Sequence, residues 1–156
     1  MNIETLKPIF ALLADVATIA GVVGVWFAVR QLRLSKQLAQ SAFEDELTRE
    51  YRSIVKDIPM DVLLGKPPSE ERRDHVRELI YNYIDLCNQQ VFLRMKGRIT
   101  DDTWREWNAG MRSTLGHGFF LNVLGEIEPC GVFDELKLLK GSDFQEDPKT
   151  WRGGIQ

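Results

Sequence analysis

Arg112 and His117 stand with four residues between them in RSTLGH. The guanidinium can hold the negative charge of a phosphate, and the imidazole can move a proton near neutral pH. The same two residues also have a purely structural use, with Arg112 paired to an acid and His117 closing a helix end. Asp15 is the second residue that could do chemistry, being the one charge in the apolar run PIFALLADVATIAGVVGVWFAV over residues 8–29. Holding a carboxylate at membrane depth costs several kcal/mol, so Asp15 must face a partner helix or a polar pore, be protonated, or sit near the outer boundary where water reaches it. Ala20, Gly24 and Ala28 recur at every fourth position, as do Ala17 and Gly21. Small residues at that spacing let helix backbones approach closely in lipid, which points to self-association with Asp15 on the axis.

Other chemistries have no residues to carry them. There is no Ser/His/Asp arrangement, phosphate-cradling glycine loop or metal-ligand cluster, so no cofactor, no metal and no small-molecule substrate are expected. His75 reads as a surface residue, and Trp104, Trp107, Phe119 and Phe120 read as core. The two cysteines, Cys87 and Cys130, fit no CxxC pattern and read as reduced, small hydrophobes. Lys and Arg number 20 against 23 Asp and Glu. With the signs mixed, sequence-independent grip on nucleic acid is not expected.

The elements that would position these residues are all helical. About 20 apolar residues at ~1.5 Å each match a hydrocarbon core of roughly 30 Å, so residues 8–29 are predicted to span a membrane. A signal peptide would have a more basic start, a shorter apolar core and a small-residue exit. Lys7 stands alone before the run, whereas Arg30, Arg33 and Lys36 follow it, which directs the C-terminal bulk to the cytoplasm. No Gly or Pro interrupts residues 26–58, so the span is predicted to continue as one long helix. Its stripe of Leu34, Leu38, Phe43, Leu47, Tyr51, Ile54 and Val55 needs a cover. Residues 59–69 read as a connector, and Ser69 with Glu70 and Glu71 as the cap of a second helix running to about Lys96, ended by Gly97. Thr100, Asp101 and Asp102 open a third helix, broken at Gly116, His117 and Gly118. Short helices over residues 119–127 and 132–140 follow, and then a polar tail from Gly141 that is expected to be mobile apart from a contact through Trp151.

The chain is therefore predicted to be all-α. Residues 1–30 form an N-terminal tail and transmembrane helix, 31–58 a long juxtamembrane helix, 59–140 a small cytosolic helical domain and 141–156 a polar tail.

The Arg112–His117 spacing resembles the R-x(4–6)-H signature of HEPN-domain ribonucleases, helical proteins that pair two such motifs across a dimer to cleave RNA without metal. The order of the span, QLRL at residues 31–34, YNYIDLCNQQVFLRMKGRI at residues 81–99 and DDTWREW at residues 101–107 is similar to a large group of bacterial single-pass membrane proteins. That group includes the small pore-forming membrane accessory of type VI-B CRISPR systems, which carries a degenerate HEPN-like motif matched here by Arg112 and His117. This resemblance implies a homo-oligomeric inner-membrane protein that permeabilises the membrane in antiviral defence, is not itself an enzyme, and has an RNA-guided nuclease or its RNA products as partner. In such a ring Asp15, Ala17, Ala20, Gly21, Gly24 and Ala28 would line or seal the pore. A membrane-tethered HEPN-type ribonuclease and a non-catalytic anchor for a cytosolic partner are the competing readings.

Overall fold

A computed structural model describes residues 3–116 and 118–151, with side chains described from residue 20 onward. It is helical, with no strand among the described residues, as the periodicity predicts. Helix α1 runs without a break over Ile3–Asp57, consistent with the absence of Gly and Pro from residues 26–58. The chain divides into two compact units, Met1–Ser41 and Ala42–Gln156. Among the described residues no helix is long and apolar enough to cross a membrane; residues 8–19 of the expected span lie outside those with described side chains.

The second unit is built around α3, Arg73–Met95. Val76, Ile80, Tyr83, Ile84, Cys87 and Val91 fall at helical spacing on one face and are all buried; each such side chain is worth about 1.5–3 kcal/mol when taken out of water. That face packs against α5, Gly118–Ile127, and α6, Asp134–Gly141. Leu47 within α1 and Ile58 just after its end, each 3 % exposed, join the same core. The apolar stripe read along α1 thus has two fates: Leu47 is buried and Phe43, Ile54 and Val55 are partly so, whereas Leu34 and Leu38 stay exposed.

The helix ends show how the folding code is divided. Gly97, at φ 67°, closes α3 as its sequence suggests: Gly97 N–H donates to Arg94 C=O at 2.9 Å and Arg98 N–H to Leu93 C=O at 3.0 Å, the paired bonds of a Schellman ending. Helix α4, Asp101–Leu115, begins at Thr100, whose Oγ1 accepts from Thr103 N–H. Ser69 differs from expectation, because its hydroxyl faces Arg72 Nε at 3.3 Å and caps no backbone N–H. A 3-10 turn, Glu70–Arg72, precedes α3 instead. The connector also holds a one-turn helix, α2, Met60–Leu63, which inserts the fully buried Val62.

Up to Trp151, the last described residue, the tail is packed rather than mobile, and Trp151 makes the contact with the core that its type suggests. Phe144 is 7 % exposed, and a 3-10 turn at Pro148–Thr150 packs against α3. What holds it is a pair that local composition does not reveal, Arg94 with Asp147.

Candidate functional site

Two regions hold the candidate site residues singled out by sequence, and the structure adds a third. In the first unit, Asp15 and Ala17 lie outside the residues with described side chains. Ala20, Gly21, Gly24 and Ala28 are exposed, and a Cβ added at Gly21 or Gly24 would meet nothing within 4 Å. Large apolar side chains on the same stretch are equally bare: Val22 66 %, Val25 65 %, Phe27 58 % and Trp26 56 % exposed. At the end of this run the Trp26 and Phe27 rings meet edge to face at 5.1 Å between centroids, and the Arg30 guanidinium lies 5.5 Å from the Trp26 ring centroid. An indole beside a guanidinium pairs an apolar body with a polar tip, the combination enriched where a helix leaves lipid for water.

In the second unit, Arg112 sits near the end of α4 with its Nη2 2.6 Å from Asp143 Oδ2. Both side chains are more than half exposed. An exposed pair of this kind contributes at most about 1 kcal/mol, and it engages the guanidinium that the phosphate chemistry would use. This is the acid-paired arrangement set out above as the structural use of Arg112. His117 lies outside the described residues, so the geometry of the Arg/His pair is described on the arginine side alone.

The third region was not legible as a site. Arg94, 2 % exposed, donates from Nε to Asp147 Oδ1 at 2.7 Å and from Nη2 to Asp147 Oδ2, a two-pronged grip. Its Nη1 donates to Asp101 Oδ1 at 2.8 Å and to the Ile99 carbonyl at 2.9 Å. The Trp104 ring lies 6.0 Å from the guanidinium carbon. These hydrogen bonds, with Asp147 foremost, raise the Arg94 pKa further. Asp147 is held below the usual carboxylate range chiefly by its hydrogen bond to Arg94. Asp101 is lowered first by Lys149, whose Nζ is 3.0 Å away, and then by Arg94. With four of its five N–H groups engaged, Arg94 ties α3, α4 and the tail together.

Glu44 is a second buried charge that periodicity did not mark. Its carboxylate, 9 % exposed, accepts from Thr100 N–H at 2.6 Å and Thr103 Oγ1 at 2.7 Å, capping α4 from outside that helix. Asn88 does the same for α6, its Oδ1 accepting from Leu136 N–H at 3.0 Å. The signal available in the sequence was an acid on an otherwise apolar helical stripe.

Of the remaining groups, Cys87 is fully enclosed and burial pushes its thiol up to about 12. Burial likewise holds the Tyr83 hydroxyl well above its usual range, reinforced by Cys87. Both cysteines are free, but Cys130 is exposed at the surface turn Glu128–Cys130. Among the described residues no cluster of His, Cys, Asp or Glu could hold a metal ion.

Comparisons with protein-family models, curated proteins and solved structures found no match.

Proposed function

We propose that this protein is a homo-oligomeric, single-pass protein of the bacterial inner membrane, with its second unit in the cytoplasm, that permeabilises the membrane as an accessory or effector of antiviral defence. The observation that carries the reading is the surface of α1. Every residue over 20–29 is exposed, on all sides of the helix, and most of them are apolar. A helix apolar all round has no stable place in water; it is covered by protein or by lipid. Residues 8–19, equally apolar in sequence, complete the length that a bilayer requires. Trp26 and Arg30 then fall at the boundary, with Arg33 and Lys36 on the cytoplasmic side. The small residues Ala20, Gly21, Gly24 and Ala28 give neighbouring copies a face for close approach, and the sequence resemblance described above supplies the defence role and an RNA-guided nuclease as partner.

The test is a sequence of three measurements on the full chain. Membranes washed at high salt and at alkaline pH should retain the protein, particles in detergent should be multimeric, and vesicles containing it should leak a small dye. Recovery in the aqueous supernatant without detergent refutes the membrane assignment. Retention as a monomer, with tight vesicles, refutes the pore and leaves a simple anchor. The ribonuclease reading gains no support from Arg112, whose guanidinium is occupied by Asp143; RNA cleavage lost in both Arg112→Ala and His117→Ala would reinstate it.

A further inference from the structure

A cleft of about 240 Å³ opens in the second unit between the last turns of α1, α3 and α4, away from the Arg94 cluster and from Arg112. Tyr51 and Trp107 line it. Gly110 lines it too, and a Cβ added there would meet nothing within 4 Å. A glycine inside a helix costs about 1 kcal/mol against alanine, and here it keeps the cleft open.

Thr48 and Tyr83 on the cleft wall are hydrogen-bonded within the protein, but among the described residues three other polar groups there are not engaged. Gln90 borders it at 3 % exposure; among the described residues its amide makes no hydrogen bond, and the amide atoms are not sealed in the core but open to the cleft. An amide that faces a cleft without a protein partner is available to a ligand that can both donate to it and accept from it. Arg52 from α1 and Glu106 from α4 stand at the rim, and among the described residues neither is in an ion pair. One free cation, one free anion, aromatic walls and an amide that can both donate and accept make a complementary set.

We infer that this cleft binds a small aromatic zwitterion of the α-amino-acid class. The carboxylate pairs with Arg52, the ammonium with Glu106, the ring lies among Tyr51, Trp107 and the bare backbone of Gly110, and a polar ring substituent hydrogen-bonds Gln90. The cleft is smaller than the roughly 300–1,000 Å³ of drug-sized sites, which fits a single ring. This inference is independent of the membrane reading.

The probe is L-tyrosine, titrated calorimetrically into the full chain in detergent, with L-phenylalanine, tyramine and adenosine monophosphate as comparators. The expected result is saturable tyrosine binding with Kd below about 1 mM. Phenylalanine, lacking the hydroxyl, and tyramine, lacking the carboxylate, should each bind about tenfold more weakly, the scale of one lost hydrogen bond or ion pair. Gln90→Leu should weaken tyrosine about tenfold and erase its advantage over phenylalanine, while the melting temperature holds because the amide bonds no group of the protein among the described residues. Gly110→Leu should block the cleft. Absence of saturable tyrosine binding overturns the proposal, as does equal binding of tyrosine and phenylalanine. Binding of adenosine monophosphate without tyrosine also overturns it and reassigns the cleft to a nucleotide. If Gln90→Leu lowers the melting temperature, the amide is a structural group and the assignment fails.

Discussion

Removing Asp147 should destabilise the second unit more than removing Arg94, although both changes break the same ion pair. The asymmetry comes from what each leaves behind. In Asp147→Ala the guanidinium stays at its 3 % exposed position, keeping Asp101 and the Ile99 carbonyl but losing its two-pronged partner. Leaving a buried charge short of its partner costs about 3–5 kcal/mol, and the surviving Asp101 contact places this case near the lower end, about 3 kcal/mol. In Arg94→Met the orphan is a carboxylate whose side chain is already 36 % exposed and can turn into water. Methionine fills much of the same volume beside Trp104. The remaining loss is the donor to the Ile99 carbonyl and the tie to the tail, about 1–2 kcal/mol. For a domain of roughly 100 residues a difference of this size separates the melting temperatures by about 5–10 °C. The measurement is thermal unfolding of the detergent-solubilised chain, followed by near-ultraviolet circular dichroism.

The acid dependence supplies a second axis for the same pair. Asp147 has a folded pKa below its unfolded value, so its contribution is present above the unfolded carboxylate value of about 3.9 and is lost as pH falls through the folded one. The wild-type melting temperature should therefore fall below about pH 4, and Arg94→Met should flatten that decline. A larger loss for Arg94→Met than for Asp147→Ala, or an unchanged acid limb, would refute the account of a trapped guanidinium.

Three further outcomes follow from the packing. Glu44→Ala should cost about 1–2 kcal/mol through loss of the remote cap on α4, read as a lower urea midpoint with an unchanged slope; an unaltered midpoint would mean that water replaces the carboxylate freely. A thiol reagent at pH 8 should modify Cys130 in the native protein and reach Cys87 only on unfolding, since Cys87 is buried and its thiol is pushed up to about 12; two fast native thiols would contradict the core assignment. Gly118→Ala should destabilise by about 1–3 kcal/mol, because Gly118 has φ 63° and an added Cβ would sit 3.0 Å from Gly65 Cα. A neutral result there would show that the loop carrying Gly65 yields without cost.

The sequence by itself determined which segments are helices and where several of them stop. Val76, Ile80, Ile84, Cys87 and Val91 recur at the period of a helix, Gly97 can take the left-handed ending, and the gap without Gly or Pro after Trp26 leaves α1 no reason to break. These are local effects, fixed by neighbours within one or two turns. It also marked the apolar surface of α1, since Val22, Val25, Trp26 and Phe27 are legible from composition alone.

Only the tertiary structure decided where the charges go. Asn88, Arg94 and Asp147 look like ordinary surface residues in the sequence, Glu44 stands out only as an acid on an apolar stripe, and nothing within a few positions of any of them names its partner. Asp147 lies 53 residues from Arg94 and Glu44 lies 56 from Thr100. Such pairings arise because burial forbids an unmatched charge and leaves each polar group to take the partner that folding brings within reach. For the same reason the tail around Phe144 and Pro148 read as mobile by composition but is ordered: its anchor is an arginine in the middle of another helix, and the fold alone brings the two together.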